Sequence, residues 1–315
     1  MPTLDDVRAA AARIAPHVHR TPTMSATSLG ALAGVRLHLK AELFQKTGSF
    51  KVRGVFNAVL SLPPEEVARG LVTLSAGNHA AALAYAARGA GTTAVVVMPA
   101  HANPGKVAAV KAYGGEVVQT AGALLEAVTE IRERTGRTLV HPFDDPAVIA
   151  GAGTVGLEIA EDVPDADVVV VQVGGGGLIA GIATAVKAVN PHATVIGVEP
   201  ENADAMTRAL AAGAPVDVVP ASLADGLNAP FAGVHTLAAV REHVDRVVTV
   251  PDDAIVEAMR LTIERTKLAV EPAGAAGVAA LLTGAAGIDK GANVVCVATG
   301  GNVDAATFAR LLGPA

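Results

Sequence analysis

Lys51 sits in the run Ser49-Phe50-Lys51-Val52-Arg53-Gly54, between an aromatic and a β-branched residue. A lysine packed among apolar groups loses solvation of its ammonium form, so its pKa falls. The free amine is then available to attack a carbonyl carbon and form a Schiff base. A lysine alone is usually only a solvated surface charge, so this signal needs a second one.

The second signal is Val168–Val173 followed by Gly174, Gly175, Gly176, Gly177 and Leu178. An apolar strand here feeds a glycine turn that opens a helix. Glycines let the backbone approach an anion, and the first turn of a helix offers unpaired N–H groups at its positive end. A bare tight turn would also explain one or two glycines, but four in a row is an entropically costly way to build one. An amine for an aldehyde and a cradle for a phosphate together point to pyridoxal phosphate. A competing motif overlaps the same run. Gly175, Gly177 and Ala180 satisfy G-x-G-x-x-A, and Glu199 follows about 20 residues on, which is acceptable spacing for a dinucleotide site.

These residues must be held by a fold, and its class is legible. Short β-branched runs alternate with longer alanine-rich stretches, the pattern of parallel α/β architecture. Continuous apolar runs at Thr93–Met98, Thr138–Val140, Asp167–Val173, Thr194–Val198 and Asn293–Ala298 predict buried strands. Thr3 is placed to cap a first helix whose Val7, Ala10, Ala11 and Ile14 share a face. Asn78 is placed to cap Ala80–Arg88, and Pro104 opens the helix over Gly105–Tyr113. Residues 69–143 read as a small α/β domain inserted in a large one made of 1–68 and 144–315.

Composition excludes several classes. The 315 residues carry 24 Lys+Arg against 30 Asp+Glu, a net charge of −6 with no basic block. With two Tyr, six Phe and no Trp, neither a phosphate-backbone surface nor a base-stacking platform is expected, so nucleic acid is not a partner. The single cysteine, Cys296, permits no intramolecular disulfide and fits a reducing compartment. The first twenty residues have no apolar core of a signal peptide, and Val168–Val186 divides into strand, turn and helix rather than a membrane span. A cytoplasmic protein without membrane contact is the expectation.

The ordered motifs resemble a known family. Gln45-Lys-Thr-Gly-Ser-Phe-Lys-Val-Arg-Gly54, Ser75-Ala-Gly-Asn-His79, Gly174–Leu178, Glu271-Pro-Ala-Gly274 and Thr299-Gly-Gly-Asn302 occur in the order of fold-type II pyridoxal-phosphate enzymes, in the serine/threonine dehydratase and serine racemase branch. His141-Pro-Phe-Asp-Asp145, Val148–Gly151 and Ala224-Asp-Gly226 add to the match, which spans nearly the whole chain. The resemblance implies a homodimer of two-domain subunits with the cofactor between the domains. It implies that Lys51 holds the cofactor and then removes the substrate α-proton, with Phe50 beside it. Gly174, Gly175, Gly176, Gly177 and Leu178 would take the phosphate, Asn78 the phenolic oxygen, and Thr299 the pyridine nitrogen. Ser75, Ala76, Gly77, Asn78 and His79 would receive the substrate carboxylate at a helix N-terminus.

Departures choose among reactions. Racemases of this branch resemble the Ser75–His79 loop but carry a serine acid/base at the position of Ala76, and alanine cannot transfer a proton. Phe143 after His141-Pro142 also looks like dehydratases. The resemblance therefore implies β-elimination from L-threonine or L-serine, giving a 2-oxo acid and ammonia. Ala81 and Ala152 replace common glutamines, and Gly122–Glu126 replaces a more polar stretch, leaving room for 3-hydroxyaspartate or phenylserine. Some relatives bind a divalent cation; Glu199 and the Ala203 carbonyl are retained for it, while Ala205 stands where an aspartate ligand is expected. No length remains after the Thr299 motif for a regulatory domain. Serine racemase is the nearer alternative, and an NAD-dependent oxidoreductase and a non-catalytic binding protein are the more distant ones: a yellow protein whose visible band is lost to borohydride favours the dehydratase, and binding of NADH by a colourless one the oxidoreductase.

Overall fold

The computed structural model describes residues 1–313. Its strands, in chain order, are β1 (Thr23–Ser25), β2 (Arg36–Lys40), β3 (Leu71–Leu74), β4 (Ala94–Pro99), β5 (Glu116–Thr120), β6 (Thr138–Leu139), β7 (Val168–Gln172), β8 (Thr194–Pro200), β9 (Arg246–Val250) and β10 (Asn293–Val297). They form a six-stranded sheet in the order β1-β2-β10-β7-β8-β9 and a four-stranded sheet in the order β5-β4-β3-β6. Apart from the antiparallel β1–β2 pair, every pairing is parallel. This is the α/β class read from the apolar runs.

All five expected strands are present within one or two residues at each end. The further strands β1, β2, β3, β5 and β9 lack long apolar runs. β1, β5 and β9 are sheet edges, where one side of the ladder meets solvent and polar residues cost little. β2 alternates, with Leu37 and Leu39 buried between more polar positions.

Side-chain alternation sorts the large sheet's residues onto its two faces. Val168, Val170, Ile196, Val198, Val294 and Cys296 pack with the helices Asp252–Thr266 and Pro272–Leu282. Val169, Val171, Val195, Val295 and Val297 pack with Pro146–Asp162 and Gly177–Val189. Glycine lets those last two helices lie close together: a Cβ on Gly153 would come within 2.8 Å of the Gly181 carbonyl oxygen. In the small sheet Val72, Val95 and Val97 pack with Val128 and Ile131 of Leu124–Thr135, and Val96 and Met98 with Ala80, Ala84 and Val110 on the other face.

The first helix, Leu4–Ile14, begins with the expected Thr3 cap, closed reciprocally by Asp6, and buries Val7, Ala10 and Ile14. The helix Pro104–Ala112 starts under an Asn103 cap. The helix containing Asn78 differs from expectation. It runs Asn78–Gly89 with Gly77 at the N-cap, and the Asn78 side chain makes no capping bond. That amide is engaged elsewhere, in the site described next.

The helix Lys51–Ser61 connects the two sheets. Its Val52, Val55, Phe56 and Val59 share a core with Leu71, Leu83, Ala86 and Ala94 of the small-sheet side and with Val148 of the helix Pro146–Asp162. Its first residue, Lys51, is thereby held at the junction.

Candidate active site

Lys51 Nζ donates to the Pro142 carbonyl oxygen at 2.9 Å and stands 5.1 Å from the centre of the Phe50 ring. It forms no ion pair among the described residues, and burial lowers its pKa from 10.5 to about 8. Desolvation without a carboxylate partner raises the share of free amine near neutral pH from a trace to about a tenth, which favours the attack on a carbonyl. Lys46 lies five residues away in a separate 3-10 turn, Lys46–Gly48.

The lysine is linked to the glycine turn through one short segment. Phe143, next to the Pro142 that Lys51 holds, lays its ring where a Cβ of Gly175 would be, and its carbonyl oxygen lies 2.9 Å from where a Cβ of Gly177 would be. The glycines are thus required for contact with the protein's own Phe143, rather than only to leave room for an anion. Gly176, with φ of +92°, is the left-handed N-cap of the helix Gly177–Val189. The first bond of that helix runs from the Ala180 N–H to the Gly176 carbonyl, so the N–H groups of Gly177, Leu178 and Ile179 lack intrahelical acceptors. A dianionic phosphate fits that set of donors and the helix dipole.

Thr299 is brought to the lysine by backbone pairing. The Phe50 N–H donates to the Thr299 carbonyl at 3.1 Å, and Ser49 bridges Gly300. Asn78 joins the same cluster. Its Nδ2 donates to Glu271 Oε1 at 2.7 Å, while its Oδ1 accepts from Asn302 Nδ2 at 2.8 Å. Asn302 Nδ2 also donates to the Thr47 carbonyl at 2.7 Å. Five sequence motifs far apart in the chain therefore meet around Lys51.

The loop Ser75–Gly77 is half-buried at the N-terminus of the Asn78–Gly89 helix. Nothing lies within 4 Å of a Cβ built on Gly77, so the loop borders open space. Ser75 Oγ accepts from the Gly77 N–H at 3.2 Å, which turns its hydroxyl onto the loop itself. Ala76 offers only a methyl group. His79 is placed differently from the rest of the loop: it is 2% exposed, and its Nε2 lies 3.1 Å from the Val140 carbonyl and 3.0 Å from Thr73 Oγ1. Burial, aided by Lys51, pushes its pKa down to about 3, so it is a neutral group bracing β3.

Other sequence candidates stand apart. Glu199 caps a helix: Oε1 accepts from the Met206 N–H at 2.7 Å, and Oε2 from the Thr207 N–H and hydroxyl at 2.9 and 2.7 Å. Both carboxylate oxygens are engaged, so Glu199 is not free to grip a ribose as the dinucleotide motif requires. Ala203 is buried beside it, and among the described residues no cluster of three or more His, Cys, Asp or Glu side chains has metal-binding geometry. Leu125, in the Gly122–Glu126 stretch, is 61% exposed. Cys296 is fully buried, and burial raises its thiol to about 12.

One functional group was invisible in the sequence. The Arg53 guanidinium, two residues from Lys51, donates to both Glu42 carboxylate oxygens at 2.9 and 2.8 Å and to both of Glu158 at 2.7 and 2.9 Å. Lys40 Nζ adds a 2.7 Å pair to Glu158. Arg53 is 1% exposed, and Lys40 and Glu42 are fully buried. This network fixes the first turn of the Lys51 helix to β2 and to Pro146–Asp162. An arginine among the apolar residues Val52, Val55 and Phe56 was the only hint in the sequence, and its partners lie up to 105 residues away.

The fold and site define an α/β enzyme with a desolvated lysine linked through Pro142 and Phe143 to a glycine turn whose helix N–H groups lack intrahelical acceptors. Residues 14–300 match the family of pyridoxal-phosphate dependent enzymes, and the chain belongs to that family. Among similar proteins, rice (Oryza sativa subsp. indica) serine racemase is 43% identical, over 96% of this chain and 91% of its own. The L-threonine ammonia-lyase of Thermotoga maritima is 42% identical, over 99% of this chain and 78% of its own. The solved structure of maize serine racemase superposes with a TM-score of 0.94 at 42% identity, covering 98% of this chain and 96% of that one. No helix among the described residues is long and apolar enough to cross a membrane.

Proposed function

We propose that this protein is a dehydratase that removes the β-hydroxyl of a small 3-hydroxy amino acid, L-threonine or L-serine first, to give a 2-oxo acid and ammonia. Lys51 would hold pyridoxal phosphate covalently, the N–H groups of the Gly174–Leu178 turn would bind its phosphate, Asn78 would face its phenolic oxygen and Thr299 its ring nitrogen. Bound there, the cofactor supplies an electron sink for the pair released when the α-proton leaves. Lys51, freed as a neutral amine, takes that proton. The Ser75–His79 loop receives the substrate carboxylate through the open first turn of the Asn78–Gly89 helix, with His79 acting from behind the loop rather than on the substrate. Thr299, a neutral hydroxyl rather than a carboxylate, does not stabilise a protonated ring nitrogen, which favours prompt loss of a β-leaving group.

The observation that carries elimination over racemisation is Ala76. Inversion needs a proton donor on the face opposite Lys51; the resemblance puts a serine at this position in racemases, and this chain has the methyl group of Ala76 there. The named relatives, a racemase and an ammonia-lyase at 43% and 42% identity, do not choose between the two reactions. The same reading takes residues 1–68 and 144–315 as a large domain and 69–143 as a small one, supported by the confinement of β3–β6 to Leu71–Leu139. It takes the protein as a cytoplasmic homodimer.

The test is a panel of L-serine, L-threonine, 3-hydroxyaspartate and phenylserine, scored for ammonia and 2-oxo acid. Release from one or more members supports the reading and names the substrate. A yellow protein that releases neither product from any of the four overturns it, leaving a racemase or a non-catalytic binding protein.

A further inference from the structure

We propose that Glu271 is a positioning residue that fixes which end of the Asn78 amide faces the cofactor. Glu271 occupies the N-cap of the helix Pro272–Leu282, yet its side chain makes no capping bond. The carboxylate reaches across the cleft instead and accepts from Asn78 Nδ2 at 2.7 Å, 193 residues away in the chain. It is 5% exposed.

Its seat is shaped for it. A Cβ on Gly300 would overlap Glu271 Oε1, and one on Gly226 would come to 4.0 Å of the same atom. The Glu271 N–H donates to the Gly300 carbonyl at 3.1 Å, tying the carboxylate's backbone to the Thr299 motif. Burial pushes the Glu271 pKa up to about 7; nearby Asp225 also opposes its ionisation, while the Asn78 bond and Lys106 favour it, and Asp225 and Lys106 pair with each other.

The consequence for Asn78 follows from donor and acceptor counting. An amide has two N–H donors and one carbonyl oxygen. Asn302 Nδ2 donates to Asn78 Oδ1, and Glu271 takes one Nδ2 proton. The second Nδ2 proton is left as the one free donor. Turning the amide over would set Oδ1 against the Glu271 carboxylate and Nδ2 against the Asn302 amide nitrogen, two repulsive contacts in place of two bonds. In its ionised form, which dominates above about pH 7, Glu271 therefore makes Asn78 a donor toward the cofactor's phenolic oxygen. A neutral amide at 271 could donate or accept and would permit either orientation.

This inference rests on Asn78 being a cofactor ligand, so the experiment separates the two claims. Apoprotein is titrated with pyridoxal phosphate by fluorescence and by the visible absorption of the bound cofactor, with thermal unfolding of each apoprotein as a control for folding. Glu271→Gln should raise the cofactor Kd about tenfold, the size expected for loss of one charge-assisted hydrogen bond, and shift the absorption maximum. Asn78→Ala should do the same, and Glu271→Gln added to Asn78→Ala should change Kd no further. If Asn78→Ala leaves both readouts unchanged, Asn78 is not a ligand and both claims fall. If Asn78→Ala acts but Glu271→Gln does not, or if the two effects add in full, Glu271 does not work through Asn78 and this proposal alone falls. Glu271→Asp keeps the charge but withdraws the carboxylate by one methylene. It should give the same loss, and an unchanged Kd would overturn the proposal even if Glu271→Gln did not fold.

Discussion

The Lys51 ammonium nitrogen is bonded to the carbonyl oxygen of Pro142, 91 residues along the chain, at 2.9 Å. Because Phe143 follows Pro142 and packs on Gly175, this single bond couples the amine to the turn proposed to receive the phosphate. A shift of the His141–Phe143 segment should therefore alter both ends of the proposed cofactor site.

Lys51 and Lys46 can be told apart chemically. Borohydride treatment of the cofactor-loaded protein followed by peptide mapping should place a pyridoxyl group on Lys51. Lys51→Ala should abolish the visible band and turnover together, and Lys46→Ala should keep the band. A label on Lys46 would refute the assignment.

The lowered pKa of Lys51 has a measurable sign. Its folded value of about 8 lies below the ordinary 10.5, so between those pH values the unfolded chain binds the extra proton. Stability of the apoprotein therefore rises with pH from about 8 to 10.5 and is flat in this respect below 8. Urea titrations of the apoprotein across that window should show the rise, and Lys51→Met should lose it. Recombination of apoprotein with cofactor should speed up through an inflection near pH 8 rather than near 10.5.

Gly175 and Phe143 should behave as a coupled pair. Gly175→Ala places a methyl group in the Phe143 ring, and overpacking of this kind costs about 1–3 kcal/mol. Cofactor affinity should fall as well, since the displaced segment carries the Lys51 acceptor. In the Phe143→Ala background, Gly175→Ala should cost little further stability, because the ring it would clash with is gone. Additive losses in a double-mutant cycle would mean that the two sites do not share this contact.

Ala76→Ser introduces a hydroxyl where the resemblance puts the racemase serine, and should raise D-serine formation relative to pyruvate from L-serine. Chiral chromatography of reactions in deuterated water measures both products at once. An unmodified protein that makes D-serine as fast as pyruvate would return the racemase reading.

Arg53→Met should be severely destabilising, by about 3–5 kcal/mol, because it strands the buried Glu42 and half-buried Glu158 carboxylates without their shared partner. Replacing Arg53, Glu42 and Glu158 together by apolar residues of similar size should cost less than Arg53→Met alone. Denaturant unfolding of the two variants checks the order.

Much of the site was readable from residue types in short windows. Lys51 between Phe50 and Val52, and four glycines after an apolar strand, announce an amine nucleophile and an anion cradle, because each depends on neighbours within a few positions. The strands that the sequence revealed were the fully buried parallel ones, where both faces demand apolar residues. Edge strands such as β5 and β9 escaped because solvent on one side relaxes that demand.

What the sequence could not reveal depends on which distant groups share a buried space. Asn78 looked like a helix cap, the local use of an asparagine before an alanine-rich helix. Only the arrival of Glu271 and Asn302 from the far end of the chain draws its amide away. Arg53 looked like one charge in a motif until Glu42 and Glu158 closed around it. Glu199 fitted a ribose-binding spacing, but the fold spends both its oxygens on the Met206 and Thr207 N–H groups. Local pattern determined the chemistry available to this protein, since backbone propensity and side-chain type act over a few residues. Tertiary structure decided how each polar group is used, since a buried donor or acceptor must find a partner and takes whichever one the fold places within reach.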